Sequence, residues 1–129
     1  MFLGSVTNTA LEKALNGLWA RNRAIAHNIA NQDTPGFKAK RVDFETYLRR
    51  ELGAIRRDSA PTREAIARIS SVESREYELG GTDVRVDGNN VDIDSEHIEA
   101  ARTQLHFDAV QRKVNGYYNN LKFVISGGR

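Results

Sequence analysis

Cysteine is absent from this 129-residue sequence, and proline, methionine and tryptophan are scarce at two, one and one. Without thiols the chain forms no disulfide and no thiolate metal site, though this does not fix the compartment it works in. Both prolines, Pro35 and Pro61, fall at breaks in the pattern, so neither end of the chain carries a helix-breaking ring. No apolar run approaches the roughly 18 to 20 residues needed to cross a bilayer. The first five residues lack a basic stretch followed by an apolar block, which predicts no cleaved secretory signal. Also missing are a glycine-rich phosphate loop, a nucleophile elbow and a paired-histidine metal motif. His27, His97 and His106 are scattered, none with a second ligand at metal-binding spacing. Trp19 and Phe37 read as core or interface anchors rather than as groups that stack on a cofactor. Together these absences argue against an enzyme and predict no metal and no cofactor.

The composition, 40% hydrophobic and 28% charged, fits a single domain that buries surface while staying in water. Nineteen Lys and Arg against seventeen Asp and Glu leave a net charge of only +2, so the charge distribution is more informative than the total. Lys38, Lys40, Arg41, Arg49, Arg50, Arg56, Arg57, Arg63 and Arg68 form a basic stretch, and Asp83, Asp87, Asp92, Asp94 and Glu96 form an acidic one. Segregation of this kind can steer one subunit onto another. It also leaves two alternatives open: a basic helical nucleic-acid-binding protein, through Arg49, Arg50, Arg56 and Arg57, or another coiled-coil assembly module.

Periodicity gives the architecture. Leu11, Leu15, Leu18, Asn22, Ile25 and Ile29 recur at alternating steps of four and three, one stripe of a helix from about Ser5 to Asn31 widened by Ala14, Ala26 and Ala30. Pro35 drives Thr34 out of the helical region and Gly36 permits a turn, so this helix stops near Gln32 and Phe37 packs back on the exit. A weaker helix is expected from Val42 to about Arg57, with Phe44, Leu48, Leu52 and Ile55 on one side, and a short one from Thr62 to about Ile69. Alternation of Val84 and Val86, then Val91 and Ile93, about Asp87-Gly88-Asn89-Asn90 predicts a short β-hairpin or extended loop. The acidic residues there do not match an EF-hand, because Val91 stands where a ligand is needed.

Asp94 is the expected N-cap of a last helix from Ser95 to about Ser126. That helix shows two apolar sides: Ile98, Ala101, Leu105 and Ala109 on one, and Phe107, Val110, Val114, Tyr117, Leu121 and Val124 on nearly the opposite one. One partner helix needs only one stripe, so the second is expected to meet another molecule or the folded-back middle segment. The expected fold is therefore mainly α: an elongated, coiled-coil-like antiparallel pair of long N- and C-terminal helices with an irregular middle. Three segments follow, 1–32 as the N-terminal helix, 33–94 as exit turn, middle and hairpin or loop, and 95–129 as the C-terminal helix.

The run from Ala26 to Lys38, which includes Asn28, Asn31, Thr34, Pro35, Gly36 and Phe37, resembles the N-terminal signature of bacterial flagellar rod and hook axial proteins. The run from Asp87 to Glu96 looks like that family's lead-in to its C-terminal helix. A short chain with Val42-Asp43-Phe44 after the signature is most similar to the proximal basal-body rod proteins, of which two short types stay open. The resemblance implies a structural subunit that assembles into a helical tube in the periplasm and is exported unfolded by the flagellar type III apparatus. It also implies its partners: copies of itself, other proximal rod proteins, the rod-base adaptor FliE and the membrane ring protein, with no nucleic acid and no insertion into the membrane.

Overall fold

The computed structural model describes residues 5–81 and 85–127. The first helix, α1, spans Val6–Ala30, and its first turn is closed by Ser5, whose Oγ accepts from the Asn8 amide at 3.1 Å. The last, α4, spans Ile93–Ile125, 33 residues or about 50 Å of helix. Its cap is Asp92, two residues before the expected one: Asp92 Oδ1 accepts from the amides of Asp94 and Ser95 at 3.1 and 3.3 Å. The earlier start follows from Val91, whose amide is held by the buried side chain of Asn89 at 2.8 Å, so the chain is already positioned to begin the helix at Ile93.

The two helices run antiparallel. Asn28 Nδ2 donates to Glu96 Oε2 at 3.0 Å at one end of the pair, while Ala14 and Leu18 join Phe107 and Val110 in one apolar cluster further along. On α1 the residues of the expected stripe, Leu11, Leu15, Leu18, Asn22, Ile25 and Ile29, are all buried or half-buried. On α4 the buried and half-buried positions Glu96, Thr103, Phe107, Val110, Val114, Tyr117 and Leu121 have heptad spacing. This register carries the last two turns or so of α4 past the start of α1. The opposite stripe of α4 is left bare, with Ile98 and Leu105 both exposed, so the folded-back middle does not cover it.

Against one flank of α1 lies the middle of the chain. Strand β1 (Lys40–Asp43) pairs antiparallel with β2 (Arg75–Glu78), placing Lys40 opposite Glu78 and Asp43 opposite Arg75. Helix α2 is Glu45–Asp58 and α3 is Thr62–Ser70. The second helix therefore starts three residues later than periodicity suggested, because Val42 is taken by the strand and Phe44 packs at the N-terminal boundary of α2. Of the hairpin or extended loop expected about Asp87-Gly88-Asn89-Asn90, the structure has the loop: residues 85–92 form turns and loop and Ile93 opens α4, while Val84 lies outside the described residues. The physical reason is that the backbone groups a hairpin ladder would use bond elsewhere: the Asp87 carbonyl accepts from the Gly36 amide, the Asn90 amide donates to the Phe37 carbonyl, and the Val91 amide donates to Asn89 Oδ1.

The core is small and centred on α1: Leu18, Ala24, Val42 and Phe44, with Ala14, Phe107 and Val110 packed against it. Phe44 sits directly over Gly17, where an added Cβ would stand 2.2 Å from the ring. Arg21 holds the ring in place, its guanidinium 5.0 Å from the ring centroid while it donates to the Val42 carbonyl at 3.1 Å and pairs with Glu45. α3 adds Ala65 and Ile69, and Lys13 reaches across to the Val72 carbonyl at 3.0 Å. Gly17→Ala is expected to lower stability by about 1–2 kcal/mol, the overpacking penalty less the helix-propensity gain. Gly116→Ala, on an open face of α4, is expected to raise it by about 0.5–1 kcal/mol. Thermal unfolding followed by circular dichroism checks the pair; a higher Tm for Gly17→Ala than for Gly116→Ala contradicts this packing.

Candidate assembly interface

An assembly protein needs surfaces aimed in fixed directions, and here the aim is set where α1 ends. Asn31 closes that helix: its amide donates to the carbonyls of His27 and Asn28 at 3.2 and 3.1 Å, and its Nδ2 donates to His27 O at 2.8 Å. Thr34 then donates through Oγ1 to Asn31 Oδ1 at 3.1 Å. Pro35 and Gly36 lie exposed at the turn, Gly36 with φ of +72°, a conformation that a β-branched residue adopts only with strain. Phe37 returns to pack edge-on against His27, ring centroids 5.3 Å apart.

The second loop, residues 85–92, closes on this turn. Gly36 donates to the Asp87 carbonyl at 3.0 Å, and a Cβ on Gly88 would lie 3.7 Å from Gly36 Cα, so the two backbones nearly touch. Asn89, fully buried, donates through Nδ2 to the carbonyls of Asn31 and Thr34 at 3.0 and 2.8 Å. Asn90 accepts from the Ala39 amide at 2.6 Å and donates to the Leu79 carbonyl at 2.8 Å, taking the place of a missing strand partner. Arg85 adds a bond to the Gln32 carbonyl at 2.9 Å.

Deeper in, Asn28 does the same for β1. Its Oδ1 accepts from the Lys40 amide at 2.8 Å and its Nδ2 donates both to the Lys40 carbonyl at 2.9 Å and to Glu96 Oε2. The other oxygen of Glu96 pairs with Arg41 at 2.7 Å, and the Glu96 side chain is 1% exposed. Asn28 thus bonds a strand rather than the carbonyls freed at the end of its own helix, which Asn31 serves. The residues from Asn28 to Arg41 and from Asp87 to Glu96 form one clasp joining α1, β1 and α4. A buried charge is tolerated here because it is both paired and hydrogen-bonded.

The clasp fixes the helix pair, and the apolar groups left outside are the candidate contacts. Leu18 and Ile25 are buried and Leu11, Leu15, Asn22, Ile29, Val110, Val114, Tyr117 and Leu121 half-buried; Leu105 and Val124 are exposed. Trp19, which the sequence offered as an anchor, lies on the surface, as do Phe123 and Ile125. A trough of about 500 Å³ runs between α2 and α4, floored by Ala14, Leu18 and Phe44. Sequence reasoning missed Gly17 as the seat of Phe44 and the burial of Glu96, which it placed only in the acidic stretch. The adjacent amides of Asn89 and Asn90 after a glycine were the available signal for the second half of the clasp. Among the described residues no group of three or more His, Asp or Glu could hold a metal ion, and no helix is long and apolar enough to cross a membrane.

Asn28→Ala strands the Lys40 amide and carbonyl and one oxygen of Glu96. It is expected to lose about 2–4 kcal/mol, against under about 1 kcal/mol for Asn31→Ala, whose partners reach water. Urea unfolding of both variants checks this; equal losses contradict a buried clasp.

No protein-family model matches the chain. It is 36% identical over 132 residues to the flagellar basal body rod protein FlgB of Bacillus subtilis (strain 168), a match covering 100% of this chain and 98% of that one. To FlgB of Borrelia hermsii it is 33% identical over 123 residues, covering 86% and 89% of the two chains. To FlgB of Salmonella typhimurium it is 25% identical over 125 residues, covering 91% of each. The correspondence takes in both halves of the clasp and both terminal helices, and of the two short proximal types it selects FlgB. The chain belongs to the FlgB family of flagellar basal body rod proteins.

Proposed function

We propose that this chain is a self-assembling subunit of the proximal rod, forming part of a helical tube that transmits motor torque. The observation that carries the reading is an imbalance within one helix. α4 is clamped to α1 through a buried seam, yet it leaves Ile98, Leu105, Phe123, Val124 and Ile125 in solvent. Apolar groups along a helix held so rigidly fit a subunit with neighbours on several sides better than an isolated domain. The neighbours in this reading are copies of itself, other proximal rod proteins, the adaptor FliE and the membrane ring protein. The site of work is the periplasm, reached by export of the unfolded chain through the flagellar type III apparatus. The clasp suits that route: its two halves lie far apart in sequence, so it closes only when both have been delivered.

The exit turn and the free end of α4 supply the test. Gly36→Val places a β-branched residue at positive φ, and Pro35→Ala removes the ring that fixes the turn, so both are expected to impair rod assembly more than export. Deleting Phe123-Val124-Ile125 is expected to abolish incorporation. Each variant is expressed in a strain lacking the native gene; swimming and the amount of exported protein are scored together. Normal motility in both point variants contradicts the assigned role of the turn, and normal motility of the deletion contradicts that of the helix end. Failure of the unaltered gene to restore swimming contradicts the rod reading itself.

A further inference from the structure

The trough between α2 and α4 is apolar at its base and basic at its open rim. Ala14, Leu18 and Phe44 form the floor, Leu48 and Leu52 of α2 one wall, and Ala109 and Val110 of α4 the other. Arg49 and Arg56 stand three residues before Leu52 and four after it, on the same face of α2, and Lys113 stands one turn beyond Ala109 on α4. All three cations are exposed, and among the described residues none is ion-paired. Glu45, the acid in the lining, is already engaged by Arg21.

The outer stripe of α4 has the complementary character. Ile98, Ala101 and Leu105 follow one another at steps of three and four, with Ile98 61% and Leu105 67% exposed. Asp94 and Asp108 continue that spacing at either end, so the stripe is apolar in the middle and acidic at both ends. Neither aspartate is ion-paired among the described residues, whereas Arg102 beside the stripe is held by Glu99 at 2.9 Å. From Asp94 to Asp108 the stripe runs about 21 Å, the length of the 14-residue α2 that walls the trough. The stripe cannot enter the trough of its own chain, because both belong to one continuous helix. A helix with apolar anchors at this spacing fits an apolar groove, and acids meeting a basic rim favour one occupant over others of equal apolarity.

We propose that the Asp94–Asp108 stripe of α4 docks into the α1–α2–α4 trough of a second copy of this chain. The statement rests on the self-assembly reading and deepens it by naming the two mating surfaces and the charges that match them. Stripe and trough are different patches, so the contact is heterologous: each copy offers one of each, and the contact repeats along a row of subunits instead of closing into a pair.

The chain has no native cysteine, so introduced thiols report the contact. Leu52→Cys and Leu105→Cys variants, carrying different tags, are expressed together in a strain lacking the native gene, and the cells are oxidised. Both positions are exposed in the subunit, and circular dichroism of each purified variant checks folding. A disulfide joining the two tags is expected. It weakens roughly tenfold when Arg49→Glu and Arg56→Glu are added to the Leu52→Cys chain, and returns when Asp94→Lys and Asp108→Lys are added to the Leu105→Cys chain. A chain carrying both cysteines is expected to link into a ladder of multimers. Dimers from either single variant alone would show like surfaces meeting and overturn the proposal, and a ladder that stops at the dimer would show a reciprocal pair and do the same. So would a link from Leu105→Cys to a different rod component, a link indifferent to the charge reversals, or no link at all. Swimming separates the two levels: motile cells without the link refute this docking and leave the rod subunit standing, whereas failure of the unaltered gene to restore swimming refutes both.

Discussion

Asn28 and Glu96, both almost fully buried, meet beside the half-buried Lys40 and Arg41, and the arrangement of the rest depends on that meeting. Asn28 occupies the position of a strand residue toward Lys40 while holding one oxygen of Glu96, and Arg41 holds the other. Three elements distant in sequence are thereby fixed at one point. A purely apolar contact at this place would allow the helices to slide by a turn, since Leu and Ile pack against many partners. A buried carboxylate does not, because each displaced arrangement leaves it unpaired. The register of the α1–α4 seam is set there, and with it the length of α4 that extends beyond α1.

The seam itself is a weak source of stability. Its buried positions include Asn8, Asn28, Glu96 and Thr103, and the apolar cluster reaches from Phe107 and Val110 to the flank where Phe44 rests on Gly17 beside Arg21. The subunit thus has one firm end, formed by the clasp and the Phe44 cluster, and one end where Phe123, Val124 and Ile125 of α4 stand exposed. That gradient along the molecule is what a subunit completed by its neighbours requires: enough order to present surfaces in fixed directions, and apolar area left over to drive association.

Much of this was legible in the sequence, in physical terms that can be named. Leu11 to Ile29 and Phe107 to Val124 showed their stripes because each recurs at 3.5-residue spacing over many turns. Thr34-Pro35-Gly36 announced a stop because ring and glycine restrict or release particular dihedral angles. The strands were not legible. Lys40-Arg41-Val42-Asp43 and Arg75-Glu76-Tyr77-Glu78 have no alternation, since β2 is exposed throughout and β1 is held by side chains from elsewhere. Glu96 was equally hidden, because a glutamate in a first turn usually faces water and only the fold brings Asn28 and Arg41 around it. The valines at 86 and 91 left a hairpin and an extended loop both open, because local alternation carried no information about two asparagines bonding the backbone across the molecule.

The central claim is that a buried polar clasp holds one end of a helix pair whose other end is left for a neighbour. Hydrogen exchange of the dilute monomer, followed amide by amide, addresses it directly. The account predicts that the amides of Lys40, Val91 and Glu96 exchange slowly and together, while those from about Leu121 to Ile125 exchange orders of magnitude faster. Equal protection at both ends of α4 in the monomer would contradict it.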